Sequence, residues 1–308
     1  MKLIVQPDAG IAPVVTAIKQ ARKSVDVLIF RLDRLDIARA LEAAVARGVV
    51  VRALIAHTNS GGGKSLRKLE LHLLEHGVTV SRTADDLVRY HGKMMIVDGR
   101  VLHVYGFNFT GMDIEKSRSF GVISKNVKLV QEALKLFEAD CARHPYSPGS
   151  DRLIVSPENS RERLADFIKG AKKQLLIYDP KVSDPAMLRL LVGRVEKGVE
   201  VRIIGKVLGK KSVLTAEKYP GKRLHVRAII RDGQGAFIGS QSLRKLELEE
   251  RREIGVLIRE PAVVRQLASF FEEDWARTEL GRKEAKKAEK AEKRESRESA
   301  REEEAAAS

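Results

Sequence analysis

The chain alternates amphipathic segments with short apolar runs, and this alternation predicts helices and buried strands. Residues 36–47 carry an apolar stripe at helical spacing, and Gly48 stands where that helix should stop. The stripe consists of Ile37, Leu41, Ala44 and Val45. The following run, 49–55, is mostly apolar over the length of a strand, which is typical of a sheet covered on both faces. The pattern therefore indicates an α/β fold.

The pattern occurs twice along the chain. Residues 18–55 match residues 168–205 without a gap, at an offset of 150 residues. Farther on the offset falls to 134, so the first copy carries 16 more residues (150 − 134) in its middle, around 58–87. The matched pairs in this second stretch are His91 with His225, Asp98 with Asp232, Gly121 with Gly255, and Asp140 with Asp274. A repeat of this length predicts two similar lobes.

Composition sets the lobe boundaries and the kind of partner. Pro145, Pro148 and Gly149 interrupt any regular element, which predicts one lobe over 1–149 and a second over 150–280. The rest, 281–308, is a charged low-complexity tail without an apolar face, expected to be solvated. The net charge is +15, which favours phosphate-bearing partners such as nucleic acid or an anionic membrane surface.

Three features bear on location. Cys141 is the single cysteine, so an internal disulfide cannot form and a cytoplasmic location is the expectation. No apolar run approaches the roughly 18 to 20 residues that a membrane-spanning helix needs. The N-terminal residues 1–8 hold only a very short apolar run, which predicts an opening strand rather than a signal peptide.

The candidate chemistry of the first copy lies on a predicted hairpin. An Asp98–Gly99 pair between apolar runs predicts a two-residue turn. That turn places His91 opposite Gly106, with Lys93 on the same face as His91 because side chains alternate along a strand. Asn108 returns on this face. A histidine, a lysine and an amide are therefore expected to converge, with the glycine leaving space beside the imidazole.

The second copy repeats the construction around the turn Asp232–Gly233. His225 and Arg227 share a face, and Ser240 and Ser242 return beside them. Two histidines flanked by cations suit a phosphodiester, because the cations stabilise the charge of the phosphate oxygens. One imidazole can attack phosphorus while the other protonates the leaving oxygen and then activates water or an alcohol.

The sequence resembles the phospholipase D superfamily over residues 1–280. The resemblance rests on His-x-Lys followed by Asp98 and Asn108 in the first copy, and on its counterpart in the second. It implies two α-β-α sandwich lobes related by a pseudo-twofold axis, one active site between them, and a covalent phosphohistidine formed without metal or cofactor. By the same resemblance, a structural role and a catalytic role are both expected for Asp98 and Asp232.

The resemblance also implies an acidic residue that orients a motif histidine. Glu253 fits that place after His225, whereas the counterpart after His91 is Ser119. On this basis Glu253 is expected to support His225 as the general acid, because a carboxylate favours imidazolium. His91, with intact Lys93 and Asn108 partners, is then the expected nucleophile.

The second copy departs from the family pattern. Arg227 replaces the expected lysine, and Ser242 replaces the expected asparagine; arginine keeps the charge but has a different geometry. Two other histidines, His72 and His76, have a metal-binding spacing on a predicted helix. The sequence shows no third ligand near them, so they are interpreted as surface residues and no metal site is predicted.

Three functions are compatible with these residues. The favoured one is a phosphodiesterase or phosphatidyl transferase acting on a phospholipid, with contact to an anionic membrane. A nuclease of the same superfamily is the second, supported by the net charge, although an aromatic content of 5% argues against a base-stacking groove. A catalytically impaired module that binds phosphate, nucleic acid or membrane is the third.

Overall fold

A computed structural model describes residues 1–58, 63–209 and 213–306 of the chain. The first half contains eight strands and five helices within the described residues. They are β1 (Lys2–Gln6), α1 (Ala12–Gln20), β2 (Ser24–Ile29), α2 (Leu35–Ala46), β3 (Val50–Ile55), α3 (Lys64–Glu75), β4 (Thr79–Arg82), β5 (Arg89–Tyr90), β6 (Met94–Val97), β7 (Val101–Tyr105), α4 (Gly111–Glu115), β8 (Ser119–Ser124) and α5 (Val127–Ala142).

The second half repeats this order without a counterpart of α3 among the residues that the structure describes. Its elements are β9 (Leu153–Ser156), α6 (Ser160–Lys169), β10 (Gln174–Val182), α7 (Pro185–Val195), β11 (Glu200–Val207), β12 (Thr215–Glu217), β13 (Arg227–Arg231), β14 (Gly235–Gly239), α8 (Lys245–Glu249), β15 (Arg251–Ile258), α9 (Pro261–Ala276) and α10 (Glu279–Ala306). The extra residues of the first copy thus contain the helix α3.

The two sheets have matching topologies. One has the order β1-β8-β7-β6-β2-β3-β4, and the other has β12-β11-β10-β13-β14-β15-β5, with β9 also on β15. In each, three parallel strands, β2-β3-β4 or β10-β11-β12, continue into an antiparallel meander. When the second sheet is read from β15 to β12, its strands follow the same order as β8 to β4 in the first. This match confirms the predicted α/β fold with two lobes related by pseudo-twofold symmetry.

Three apolar clusters hold these layers together. The outer face of the first sheet packs on α1, α2 and α3, and that of the second packs on α6 and α7. The third cluster runs through both lobes and includes buried residues of α5 and α9. Helix starts follow their sequence signals: the Asn126 side chain caps α5 by accepting from Leu129 N at 3.0 Å, and α7 begins with Pro185 after the cap Asp184.

Two buried ion pairs cross the interface between the lobes. Arg118 of the first lobe donates to the Asp274 carboxylate of α9 at 3.0 Å. Its repeat counterpart, Arg252, lies 3.1 Å from Asp140 of α5. The aspartates that end the two long helices are therefore the partners of arginines from the opposite lobe. Because all four residues are largely buried, each pair ties the lobes together at a specific register.

Each motif hairpin turns through an Asp-Gly pair with positive φ, as the sequence predicts. Asp98 and Gly99 have φ values of 55° and 61°. The predicted strand register is wrong, however, because Val97 pairs with Val101 rather than with Arg100. On the observed register Gly106 no longer falls opposite His91. A Cβ at this glycine would stand 2.9 Å from the Phe120 carbonyl, so the glycine permits close backbone contact near the lobe interface.

The charged segment forms the helix α10, and its start packs on the second lobe. Trp275 Nε1 donates to Glu284 at 3.0 Å, and Leu280 lies against the shared apolar cluster. Residues 282–293 are exposed, which agrees with the expected solvated segment. Within the described ranges, no helix is long and apolar enough to cross a bilayer.

Candidate active site

The motif histidines from the two lobes line one cavity. It has a volume of about 540 Å³, and both His91 and His225 face it, together with Asn108, Asp113 and Arg223. The two rings are therefore presented to the same space, as the repeat predicts. Both imidazoles are largely buried, with exposed fractions of 8% and 9%. A ligand in this cavity would contact groups from both halves of the chain.

His91 is held by the opposite lobe. Its backbone N–H donates to the Arg252 carbonyl at 2.7 Å, and its Nδ1 lies 2.9 Å from Glu253 Oε2. Glu253 is fully buried. The expectation that this carboxylate supports His225 is wrong, because it contacts His91 instead. A carboxylate at Nδ1 favours the tautomer with the proton on Nδ1, which leaves the lone pair on Nε2.

The pseudo-symmetry explains this crossed arrangement. Each motif histidine donates its backbone N–H to an arginine carbonyl of the other lobe: His91 to Arg252, and His225 to Arg118 at 3.0 Å. The residue after that arginine then lies beside the histidine. For His91 this residue is Glu253, and for His225 it is Ser119, whose hydroxyl donates to the His225 carbonyl at 3.3 Å. The spacing of residues within one copy could not predict that the carboxylate beside each histidine comes from the other lobe.

A carboxylate that sequence reasoning missed takes the corresponding place beside His225. Asp113 Oδ2 lies 3.2 Å from His225 Nδ1, and it accepts the Asn108 side-chain amide at 2.7 Å. The Arg223 guanidinium also bonds Asp113. Burial opposes ionisation of this carboxyl, yet its proximity to His225, the Arg223 hydrogen bond and the Asn108 N–H lower its pKa to about 2. One signal was available: Asp113 and Glu247 are both acidic at the same place in the repeat.

Lys93 lies beneath His91 and is almost fully buried. Its Nζ donates to the His91 carbonyl at 2.7 Å and lies 2.9 Å from His91 Nε2. Burial lowers the pKa of this ammonium to about 7, although the Glu253 carboxylate acts in the opposite direction. Because little water surrounds the buried Lys93 ammonium, its attraction to a phosphate oxygen in the site would be only weakly screened.

The surroundings of both motif imidazoles favour their neutral form. Burial lowers the pKa of His91 well below its usual range, and the positive charges of Lys93 and Arg227 lower it further. Burial also lowers the pKa of His225, followed by Arg227, while Asp113 opposes this shift. A neutral imidazole is the form that can act as a nucleophile or base.

The second hairpin contributes through a different set of bonds from the predicted one. Arg227 Nε donates to the Ser242 hydroxyl at 3.1 Å, and the Ser242 backbone N–H donates to Glu247 at 2.6 Å. Ser240 does not face the cavity: its hydroxyl accepts from Ile254 N at 3.1 Å. Burial raises the pKa of Glu253, and a side-chain hydrogen bond from Ser240 acts in the opposite direction. Ser240 therefore lies beside the carboxylate that contacts His91, and its catalytic role stays a prediction.

Asp98 and Asp232 have structural roles in the hairpin turns. Asp98 Oδ1 accepts the backbone N–H groups at the start of β2, with Lys23 N at 2.7 Å, and Asp232 accepts Lys173 N at 2.7 Å in the same way. Burial opposes ionisation of both carboxyls, but these backbone donors lower their pKa values. The contacts of both aspartates are those of structural supports for the turns.

The fold and the two crossed histidine motifs define a protein of the phospholipase D class. A family model described as "Cardiolipin synthase, PLD-like domain" matches residues 14–141 and 164–275. The chain belongs to this family. It is 32% identical over 128 residues to the mitochondrial cardiolipin hydrolase of Danio rerio; the match covers 39% of this chain and 53% of that protein, so it spans about half of the relative's length.

Two solved structures share the fold over most of the chain. Polyphosphate kinase from Porphyromonas gingivalis matches with a TM-score of 0.74 and 19% identity over 88% of this chain and 46% of that one. Phosphatidylserine synthase from Haemophilus influenzae matches with a TM-score of 0.66 and 13% identity over 90% of this chain and 85% of that one. At these identities the likeness establishes the two-lobe architecture alone.

Proposed function

We propose that the protein cleaves or exchanges a phosphodiester through a covalent phosphohistidine, with a phospholipid as its substrate. The observation that carries this proposal is the shared cavity, in which His91 and His225 each have their own carboxylate, Glu253 and Asp113. Keeping each imidazole beside a buried acidic side chain costs free energy, which favours a working site over a decayed module.

In the first step, His91 Nε2 attacks phosphorus and the bond to the leaving oxygen breaks. Glu253 stabilises the positive charge that develops on this imidazole. His225 gives a proton to the leaving oxygen. The bound phosphate and the Asp113 carboxylate place negative charge near His225, which favours its protonated form once the substrate is present.

The second step reverses the direction of proton transfer. His225, now neutral, takes a proton from water or an alcohol, whose oxygen attacks the phosphorus of the phosphohistidine. The P–N bond to His91 breaks, and this imidazole returns to its neutral state. Lys93 and Arg227 stabilise the phosphate oxygens during both steps, which is the role expected of cations in a water-poor site.

The wall of the cavity favours a lipid substrate. Its apolar part consists of Phe30, Leu32, Leu66, Leu69 and Met112. Basic groups adjoin it, since the guanidiniums of Arg31 and Arg89 lie 5.5 and 5.6 Å from the Phe30 ring centroid, and neither has a carboxylate within ion-pair distance among the described residues. An anionic phospholipid combines acyl chains with further negative charge, and it would bring the protein to a membrane surface.

The test is an activity panel on the purified chain. The substrates are vesicles of cardiolipin or phosphatidylglycerol, single- and double-stranded DNA, and bis(p-nitrophenyl) phosphate, and His91→Ala is the control for contaminating enzymes. The proposal predicts turnover of a lipid and of the activated diester that His91→Ala abolishes. Cleavage of DNA alone would identify the nuclease that the net charge of +15 also favours. Binding of DNA or vesicles without turnover of any diester would establish a binding module.

A further inference from the structure

A cluster of metal-binding side chains lies on the outer side of the first lobe. His72 and His76 project one turn apart from α3, and Glu42 of α2 faces both. Glu42 Oε1 lies 2.8 Å from His72 Nε2, and Oε2 lies 3.9 Å from His76 Nε2. One donor atom from each residue lies within 4.8 Å of the others. The two histidines are surface residues, as the sequence predicts, but the expectation that no third ligand lies near them is wrong.

We propose that Glu42, His72 and His76 bind a Zn²⁺ ion between α2 and α3. Two imidazole nitrogens and one carboxylate oxygen form a donor set that zinc prefers, and three protein ligands leave a fourth tetrahedral position for water. Donor atoms around tetrahedral zinc are separated by about 3.3 Å, given bonds of about 2.0 Å. The side chains are partly exposed, so small rotations bring the three donors to this spacing.

The hydrogen bonding of His76 prepares it for a metal. Its Nδ1 lies 2.8 Å from the His72 backbone carbonyl. A carbonyl oxygen only accepts, so the proton is on Nδ1 and the Nε2 lone pair is free on the side of Glu42. Metal-binding histidines are commonly oriented by such a second hydrogen bond to a backbone carbonyl.

His72 changes its hydrogen bonding when the metal binds. Without metal, its Nε2 shares a proton with the Glu42 carboxylate at 2.8 Å. Zinc takes the place of that proton, which moves to Nδ1 in the tautomer that binds through Nε2. The carboxylate then neutralises part of the ion's charge.

The site would connect α3 to the body of the lobe. This helix belongs to the segment present in the first copy alone, and Ser65, Leu66 and Leu69 of α3 line the candidate active-site cavity. Immediately after the helix, Gly77 lies against Val45 of α2, where an added Cβ would be 3.0 Å away. A zinc ion joining the two helices would therefore stabilise one wall of that cavity. The inference does not depend on which substrate the cavity takes.

The experiment measures zinc binding to the untagged chain with Cys141 replaced by serine. The protein is stripped with EDTA, and ZnCl₂ is titrated in competition with a chromogenic chelator, with MgCl₂ as the negative control. We expect one equivalent of zinc per chain, and affinity weakened on the order of 100-fold or more by His76→Ala or Glu42→Gln. The matched controls His144→Ala and Glu75→Gln, which alter exposed residues outside the cluster, should bind as the parent chain does.

Hydrogen exchange supplies an independent readout. Zinc should slow amide exchange in residues 64–75 of the parent chain and leave it unchanged in Glu42→Gln, because only an intact site joins α3 to α2. Circular dichroism verifies that each variant is folded. Absence of stoichiometric zinc, or equal affinity in the parent and in both cluster variants, would overturn the site. Loss of binding in His91→Ala instead would place the metal in the active-site cavity and also overturn it.

Discussion

His91 Nδ1 lies 2.9 Å from Glu253 Oε2, and the two residues belong to different lobes. Neither lobe alone therefore contains a motif histidine together with its carboxylate. The same crossing places the carbonyl of Arg118 on the His225 N–H, but there the following residue is Ser119, and Asp113 supplies the carboxylate from a short helix. The backbone contacts of the two histidines are thus pseudo-symmetric, but their carboxylates come from non-equivalent positions. This asymmetry is consistent with different proposed roles for the two histidines.

Replacing Glu253 with glutamine should impair turnover while the protein stays folded. The amide cannot stabilise a positive charge on His91, and it permits the wrong imidazole tautomer. We expect kcat to fall by about 10²- to 10⁴-fold with a small change in KM. Glu250→Gln, on the same stretch of chain, is the control and should be nearly normal. An activity of Glu253→Gln within twofold of the parent would contradict the role given to this carboxylate.

Asp113→Asn tests the second carboxylate through the leaving group of the substrate. If Asp113 supports His225 as the acid, the variant should lose most activity on diesters with poor, alkoxide-type leaving groups. A p-nitrophenyl ester needs little acid assistance, so its turnover should fall much less. The measurement is kcat against leaving-group pKa for the parent and the variant. Equal losses across the series would assign Asp113 to substrate positioning or to folding instead.

Lys93→Met should make the protein more stable and inactive. The pKa of Lys93 is lowered from 10.5 to about 7 by burial, so the unfolded chain holds this proton more tightly than the folded one. Stability therefore rises as the pH increases from about 7 towards 10.5, and the penalty from this group is full below about 7. The variant's advantage, expected to be about 1–3 kcal/mol, should be largest below pH 7 and shrink above it. Urea unfolding at pH 6.5 and pH 9.5 measures this trend, and a less stable variant at pH 6.5 would contradict it.

Arg118→Met should destabilise the whole chain because it leaves a buried Asp274 without its cross-lobe partner. Asp274 is fully buried and also accepts from the Tyr178 hydroxyl at 2.8 Å. Breaking such a pair costs about 3–5 kcal/mol. Arg259→Met removes a solvent-exposed pair with Asp151, and we expect a loss below about 1 kcal/mol. Similar losses for the two variants in chemical unfolding would show that the buried pair does not hold the lobes together.

Much of this architecture could be predicted from the sequence because it is local or repeated. The apolar runs gave the strands, the Asp98–Gly99 pair gave a hairpin, and the repeat gave two similar lobes with one histidine each. The hairpin register was wrong by one residue, since local turn residues do not determine how many residues the connection uses.

The partners of the histidines could not be predicted in the same way. Glu253 was assigned to His225 because the two are close in sequence, whereas the contact with His91 arises when the lobes meet. Asp113 lies on a helix of five residues that carries little periodicity. The role of Glu42 depended on the packing of α2 against α3. Each of these contacts joins residues that are brought together only by tertiary packing, which local sequence patterns do not predict.

The central claim is that His91 is the nucleophile and His225 the general acid, and trapping the phosphoenzyme tests it most directly. The substrate is a diester with a p-nitrophenol leaving group, and the adduct is mapped by mass spectrometry at alkaline pH after rapid quenching. The account predicts that His225→Ala releases one equivalent of p-nitrophenol and accumulates phosphoryl adduct on His91, while His91→Ala forms no adduct. A phosphoryl group on His225 in the parent protein would contradict the assignment.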